Sequence, residues 1–139
     1  MRYLLDTNVV SEHLKRAPER GVVRWVEEQS AIDLCLSVLT LGELTLGFEL
    51  APDGRRREKL HRWISDELPR RFVGRLRRID APIAKEWGRL TAVGRASGRE
   101  LPPSDGLLLA TAAIHRLVFV TRNERDCSNR GVSIFNPWM

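Results

Sequence analysis

The sequence has little of what marks several common classes of protein. Its two cysteines, Cys35 and Cys127, are too few and too far apart for a disulfide framework or a cysteine-rich zinc site. The three histidines share no spacing typical of a metal site or a catalytic triad. No apolar run approaches the roughly 18 residues that a membrane-spanning helix needs, and no signal peptide is recognisable. We therefore expect a cytoplasmic protein that makes no use of a membrane.

Lysine is also scarce, although the chain is basic. Only Lys15, Lys59 and Lys85 accompany the arginines, and the formal net charge is +5. A basic chain favours polyanions or an acidic partner, and arginine suits the planar contact with phosphate or carboxylate. A genome rich in G and C would give the same excess of arginine. The 139 residues, 42% of them hydrophobic and 29% charged, are typical of one globular domain spanning residues 1–139.

Strand and helix patterns alternate along the chain. Strands are predicted at residues 2–5, 33–38, 76–79, 117–121 and 132–135, and helices at residues 8–16, 21–29, 39–50, 55–67, 81–96 and 106–115. Pro69 is expected to stop the fourth helix, and Ser104 is the candidate N-cap of the last one. Strands separated by helices need crossover connections, which predicts a three-layer α/β/α sandwich around a mainly parallel sheet.

Four acidic residues lie where such a sheet would bring them together. Asp6 ends the first strand, and Glu43 lies one turn into the apolar helix after the second strand. Asp105 opens another apolar helix, and Asp126 follows the fourth strand. The carboxyl ends of parallel strands and the starts of the helices that follow share one edge of a sheet. The four side chains could therefore converge there.

Converging carboxylates repel one another and need a cation or shared protons. Oxygen ligands without paired His or Cys indicate a hard ion, Mg²⁺ or Mn²⁺, which can acidify a bound water and stabilise charge developing at phosphorus. Each acid also has a simpler interpretation. Asp6 and Asp105 could serve the starts of helices, and Asp126 could be a solvated loop charge. Glu43 is the hardest to explain in that way, because it lies among leucines.

Five segments carry a family resemblance, and they span nearly the whole chain in a consistent order. They are residues 4–12, residues 37–44 with Gly47, residues 103–110 with Ala112 and Ala113, residues 120–123 and residues 135–138. Together these segments resemble the motifs of PIN-domain proteins of the VapC/FitB toxin type.

The resemblance implies a PIN-like fold and a metal-dependent endoribonuclease, the toxin of a type II toxin–antitoxin pair, which cleaves RNA through a metal-activated water. It implies that Asp6, Glu43 and Asp105 bind Mg²⁺, or Mn²⁺, and that Thr7 or Ser11 steadies the first acid or a water. Asn123 stands where some relatives carry a fourth acid, and Asp126 follows three residues later. Either residue could complete the site.

The same resemblance implies a set of partners. These are an RNA substrate, a second copy of the chain in a homodimer, a VapB/FitA-type antitoxin, and promoter DNA that is bound only through the antitoxin complex. Arg55, Arg56 and Arg57, together with Arg122, are candidates for contact with the RNA backbone. A solvated helix face is an equally good interpretation of the arginine run, and an acidic antitoxin tail could use the same charge.

Two other functions fit the same acids. The first is a non-catalytic module whose acidic pocket binds an antitoxin-like partner or a nucleic acid. The second is a structure-specific nuclease that acts on DNA. Loss of cleavage on substitution of Asp6 would separate an enzyme from a binding module, and a preference for DNA would indicate the second nuclease.

Overall fold

The computed structural model describes all 139 residues and is built on five strands. The strands are β1 (Tyr3–Leu5), β2 (Leu34–Ser37), β3 (Leu76–Arg77), β4 (Val118–Val120) and β5 (Ile134–Phe135). The α-helices are α1 (Thr7–Val10), α2 (Arg20–Glu28), α3 (Val38–Leu50), α4 (Arg55–Arg62), α5 (Leu68–Arg71), α6 (Ala81–Ala96), α7 (Pro103–His115) and α8 (Glu124–Cys127). None of the helices is both long and apolar enough to cross a lipid bilayer.

The strands form one sheet in the order β3-β2-β1-β4-β5, and every neighbouring pair is parallel. Tyr3 pairs with Leu34 on one side and with Val118 on the other, so β1 is the central strand. The chain builds outward from β1 to β2 and β3, then crosses back to build β4 and β5 on the other side. The predicted parallel sheet is confirmed; the strand order was not predicted.

Side chains that alternate along the strands supply two separate cores, one on each face of the sheet. Leu4 and Phe119 belong to a core that α6 and α7 cover. Leu5 and Val120 belong to the other core, which α1, α2 and the region around Trp63 cover. Because neighbouring residues in a strand point to opposite faces, one short apolar run serves both cores. The three-layer α/β/α arrangement predicted from the sequence is confirmed.

Three details of the helices differ from the prediction. The expected helix at residues 8–16 is split at Ser11 into α1 and a 3-10 turn, Glu12–Leu14. Pro69 does not stop the fourth helix, because a π-helical turn at Trp63–Glu67 leads into α5, where the missing amide donor of a first-turn proline is not needed. The last long helix begins at Pro103 rather than after Ser104, since proline suits the first helical position.

Gly94 allows the chain to turn back closely after α6. The backbone N–H of Arg99 donates to the carbonyl of Gly94 at 2.8 Å. A Cβ atom at position 94 would lie 2.6 Å from the carbonyl oxygen of Arg99, which is closer than real contacts allow. On the same helix, a Cβ atom at Gly88 would meet nothing within 4 Å. The two glycines therefore have different roles in one helix.

Gly94→Ala is expected to lower the free energy of unfolding by about 1–3 kcal/mol, because the backbone around Arg99 must move. Gly88→Ala is the matched control, and it should raise stability by up to about 1 kcal/mol since alanine favours a helix. Urea denaturation of both variants measures the difference. Equal effects of the two substitutions would contradict the close approach at Gly94.

Candidate active site

The acidic residues lie at the edge of the sheet where the strand order reverses. After β1 the chain continues to β2 on one side, whereas β4 lies on the other side of β1. The crevice outside the carboxyl ends of β1 and β4 is therefore the topological switch point, where open α/β sheets place their ligands. Asp6 directly follows β1, and Thr121 directly follows β4.

Asp6 is held rigidly at this point. The residue is 8% exposed. One carboxylate oxygen accepts the backbone N–H of Thr7 at 2.7 Å and so caps α1. The other accepts the hydroxyl of Thr121 at 2.7 Å. Both oxygens are thus fixed by neutral donors, and the carboxylate carries its charge without a basic partner.

Glu43 reaches the same place from α3. The hydroxyl of Thr7 donates to Oε1 of Glu43 at 2.8 Å, and the Thr7 and Thr40 hydroxyl oxygens lie 3.3 Å apart. Thr7 therefore contacts two acids, Asp6 through its backbone and Glu43 through its side chain. Its supporting role in the site stays a prediction.

Asn123 connects the remaining two acids to the strand ends. Its side-chain NH₂ donates to Asp105 at 2.8 Å and to Asp126 at 3.2 Å. Its backbone N–H donates to the hydroxyl of Thr121 at 3.0 Å. A continuous chain of hydrogen bonds therefore links Glu43, Asp6, Asp105 and Asp126. Asn123 acts in this chain as a donor to two carboxylates.

Two of the carboxylates, Asp6 and Asp105, have a raised pKa. Burial is the largest effect on Asp6, and together with the charges of Asp105 and Glu43 it raises the pKa of Asp6 to about 6, against the opposing hydrogen bonds. Burial, then the charges of Asp126 and Glu43, raise the pKa of Asp105 above its ordinary range. The charges of Glu43, Asp105 and Asp126 therefore all contribute to the electrostatics around Asp6 or Asp105.

The other predicted residues occupy varied positions. Ser11 donates its hydroxyl to the carbonyl of Thr7 and so supports α1 without a hydrogen bond to any of the acids. Arg57 lies over the ring of Phe48, and Arg122 lies over the ring of Trp138. Arg55 and Arg56 are exposed on α4. Arg56 alone of the arginine run lines the groove beside Glu43.

Two residues of the site, Thr40 and Thr121, were not predicted. Both are fully buried hydroxyl residues that follow strands. Thr40 lies in the first turn of α3. The signal of Thr121 in the sequence is a polar residue at the end of an apolar strand run, where a buried hydroxyl needs a partner. That signal shows that some partner exists without showing which one.

The donor set fits a hard divalent cation. None of the four carboxylates forms an ion pair with Lys, Arg or His. Carboxylates that are joined by neutral donors and lack a basic partner favour an added positive charge, and their oxygen atoms match Mg²⁺ or Mn²⁺. No three of the His, Cys, Asp and Glu side chains enclose a metal site by themselves. Mg²⁺ fits such a partial site, since it keeps several waters and uses one or two carboxylates.

Comparison with known proteins places this geometry in a family. Residues 3–130 match the PIN domain family model, and this match includes all four acids. The chain belongs to the PIN domain family. The resemblance inferred from the five motifs is thereby confirmed.

Similar proteins cover almost the entire length of this PIN domain chain. It is 35% identical to Toxin FitB of Neisseria gonorrhoeae, over 97% of each chain. It is 33% identical to VapC ribonuclease Y4jK of Sinorhizobium fredii, over 97% of this chain and 96% of that one. The solved structure of FitAB bound to an IR36 DNA fragment matches with a TM-score of 0.93 and 33% identity, over 99% of this chain and 96% of that chain.

The raised pKa of Asp6 predicts how the stability of this PIN domain depends on pH without metal. Between its ordinary value of 3.8 and about 6, the folded protein binds more protons than the unfolded chain, so stability falls as the pH rises through this window. Above the window the ionised carboxylate costs the fold about 3 kcal/mol, at about 1.4 kcal/mol per pKa unit.

Asp6→Asn should therefore stabilise the metal-free protein by about 1–3 kcal/mol near pH 7.5, with the gain vanishing near pH 4. Urea denaturation in the presence of a chelator measures it. Asp66→Asn, at an exposed position on the π-helical turn, is the control and should change stability little. If the difference in stability between the wild type and Asp6→Asn were the same at pH 4 and at pH 7.5, the burial of a charged Asp6 would be contradicted.

Proposed function

We propose that this PIN domain protein is a VapC/FitB-type toxin that cleaves RNA phosphodiester bonds with the help of Mg²⁺ or Mn²⁺. The observation that carries the proposal is the hydrogen-bonded chain that joins four carboxylates at the switch point of the sheet. The names of two similar proteins, Toxin FitB and VapC ribonuclease Y4jK, support the role as a toxin and the cleavage of RNA.

Asp6, Glu43 and Asp105 would hold the ion, and Asp126 completes the site directly or through water. When bound, a divalent cation supplies a Lewis acid that lowers the pKa of water and stabilises charge developing on the phosphate. The protein's own contribution is orientation. Thr121 and the Thr7 amide fix the oxygens of Asp6, and Asn123 fixes the relative positions of Asp105 and Asp126.

The same reasoning extends to partners. A cognate antitoxin of the VapB/FitA type would neutralise the protein, and DNA would be bound only through the complex of the two. The FitAB structure bound to a DNA fragment supports this arrangement, since it matches this chain over 99% of its length. A homodimer is part of the proposal because the family resemblance implies one.

The proposal predicts cleavage that depends on the acids and on metal. Wild-type protein, purified free of any partner, should cut structured RNAs at defined sites with Mg²⁺ or Mn²⁺ and not with EDTA. Asp6→Ala and Asp105→Asn should each reduce the rate by at least about a hundredfold, since each removes a metal-binding carboxylate. Gel analysis of tRNAs and ribosomal RNA fragments provides the measurement.

Two controls make the result specific. Asp66→Asn lies outside the site and should cut like the wild type. Matched DNA substrates should be cut at least about tenfold more slowly than RNA, whereas faster cutting of DNA would favour the structure-specific DNA nuclease. A folded protein that cuts neither nucleic acid with either metal would instead favour the non-catalytic binding module.

Thr121→Val tests the unpredicted support of Asp6. The substitution keeps the shape of the side chain and removes the hydroxyl that stabilises the Asp6 carboxylate. Loss of a hydrogen bond that orients a metal ligand typically costs about 10–100-fold in activity or metal affinity. The pKa of Asp6 should rise further, so the pH–rate profile should move to higher pH. Thr45→Val, at an exposed position on α3, is the control. If the pH–rate profile of Thr121→Val did not move, Thr121 would have only a structural role.

A further inference from the structure

A groove of about 450 Å³ opens directly beside the acidic site. Thr7 and Glu43, which share a hydrogen bond of 2.8 Å, form one end of its wall. The groove therefore begins at a carboxylate of the site and leads away from it toward α4. Its volume lies within the range of about 300–1,000 Å³ that is usual for pockets holding small organic groups.

Three cationic side chains line this groove, and they are Lys15, Arg56 and Lys59. Arg56 and Lys59 are exposed, lie three residues apart on α4 and so share one face of that helix. Neither of them forms an ion pair with an acidic side chain. Their charges are therefore available to a ligand.

Lys15 is fixed in place by an acid that has no part in the catalytic cluster. Its ammonium lies 2.8 Å from Glu12, whose side chain is 3% exposed. Glu12 also accepts the backbone N–H of Glu19 at 2.8 Å, which ties the following loop to the same carboxylate. An ammonium group has three donors, so Lys15 can contact a phosphate while it remains paired with Glu12.

Apolar side chains complete the groove. Leu14, Leu44 and Leu60 line it together with Pro52. A surface that combines separate cations with an apolar wall matches a nucleotide strand whose phosphates and base faces are both accessible. In a duplex the base faces are stacked and hidden, and only the phosphates would find partners.

We propose that this groove binds a single-stranded segment of the RNA substrate next to the bond that is cut, with Lys15, Arg56 and Lys59 contacting its phosphates. The inference rests on the proposed ribonuclease function and adds the path of the strand. Position favours RNA over an acidic peptide, because the groove shares Glu43 with the cleavage site and a substrate strand must leave that site in some direction.

The test compares two pairs of substitutions that remove the same charge. Arg56→Ala with Lys59→Ala removes one arginine and one lysine from the groove. Lys85→Ala with Arg95→Ala removes one of each from α6, where both side chains are exposed and outside the groove. Each pair is placed in an Asp6→Asn background, and the Kd for a short fluorescent single-stranded RNA and for a hairpin duplex is measured at several salt concentrations.

The groove pair should weaken binding of the single strand by about tenfold. The slope of log K against log salt should fall by about 1.4, since each phosphate contact contributes about 0.7 for single strands. The α6 pair should change the Kd by less than about twofold. The duplex should bind more weakly than the single strand, because its stacked base faces cannot contact the apolar wall of the groove. In the cleaving enzyme, the groove pair should raise KM and leave single-turnover cleavage at saturating enzyme unchanged.

The failures of the two proposals can be told apart. A wild-type protein that cuts no RNA overturns the ribonuclease itself. A wild-type protein that cuts RNA, with equal effects of the two pairs on binding and KM, overturns only the groove. If the groove pair loses affinity for an oligoglutamate peptide and keeps its affinity for the single-stranded RNA, the groove is a site for an acidic protein segment, and the inference is wrong.

Discussion

The constraint on which this structure depends is the burial of a carboxylate at the end of its central strand. Asp6 follows the run of Leu4 and Leu5, both completely buried, and is itself 8% exposed. Water can no longer solvate the charge well, and no lysine or arginine pairs with it. Neutral hydrogen bonds from Thr7 and Thr121 are the only stabilisation that the fold supplies. The site is therefore held in a state that an added cation would stabilise.

The parallel sheet makes that arrangement possible. Because β1 lies between β2 and β4, the residues that follow these three strands meet at one edge. Each acid lies on a separate element, so no local segment has to accommodate more than one of the four charges. The residues that connect the carboxylates are all neutral. Two threonines and an asparagine fix the carboxylates relative to one another through hydrogen bonds. A basic residue in their place would neutralise part of the carboxylate charge permanently.

The sequence predicts the local features of this site better than the relations between them. A short apolar run that ends in an acid predicts a strand with a carboxylate at its carboxyl end. The helices between the strands predict a parallel sheet. The central place of β1 follows from long-range pairing, which no window of the sequence contains. The contact of Thr121 with Asp6 joins residues 115 positions apart, so only the folded chain reveals it. The pattern around Pro69 predicts a helix end, whereas the structure has a π-helical turn before this proline, which changes which amides need partners.

The charge of the chain makes sense only when the acidic site and the groove are considered together. A cluster of four acids would by itself repel a polyanion, yet the chain as a whole carries a net charge of +5. Arg56 and Lys59 lie on α4, whereas Asp6 and Asp105 lie at the sheet edge, so the two signs are segregated on separate elements. Exposed cations would attract a strand from solution over about one Debye length, roughly 8–10 Å, whereas the carboxylates would act only at short range on a cation bound among them. Attraction of the strand and control of the reacting phosphate can therefore be supplied by different residues without cancelling one another.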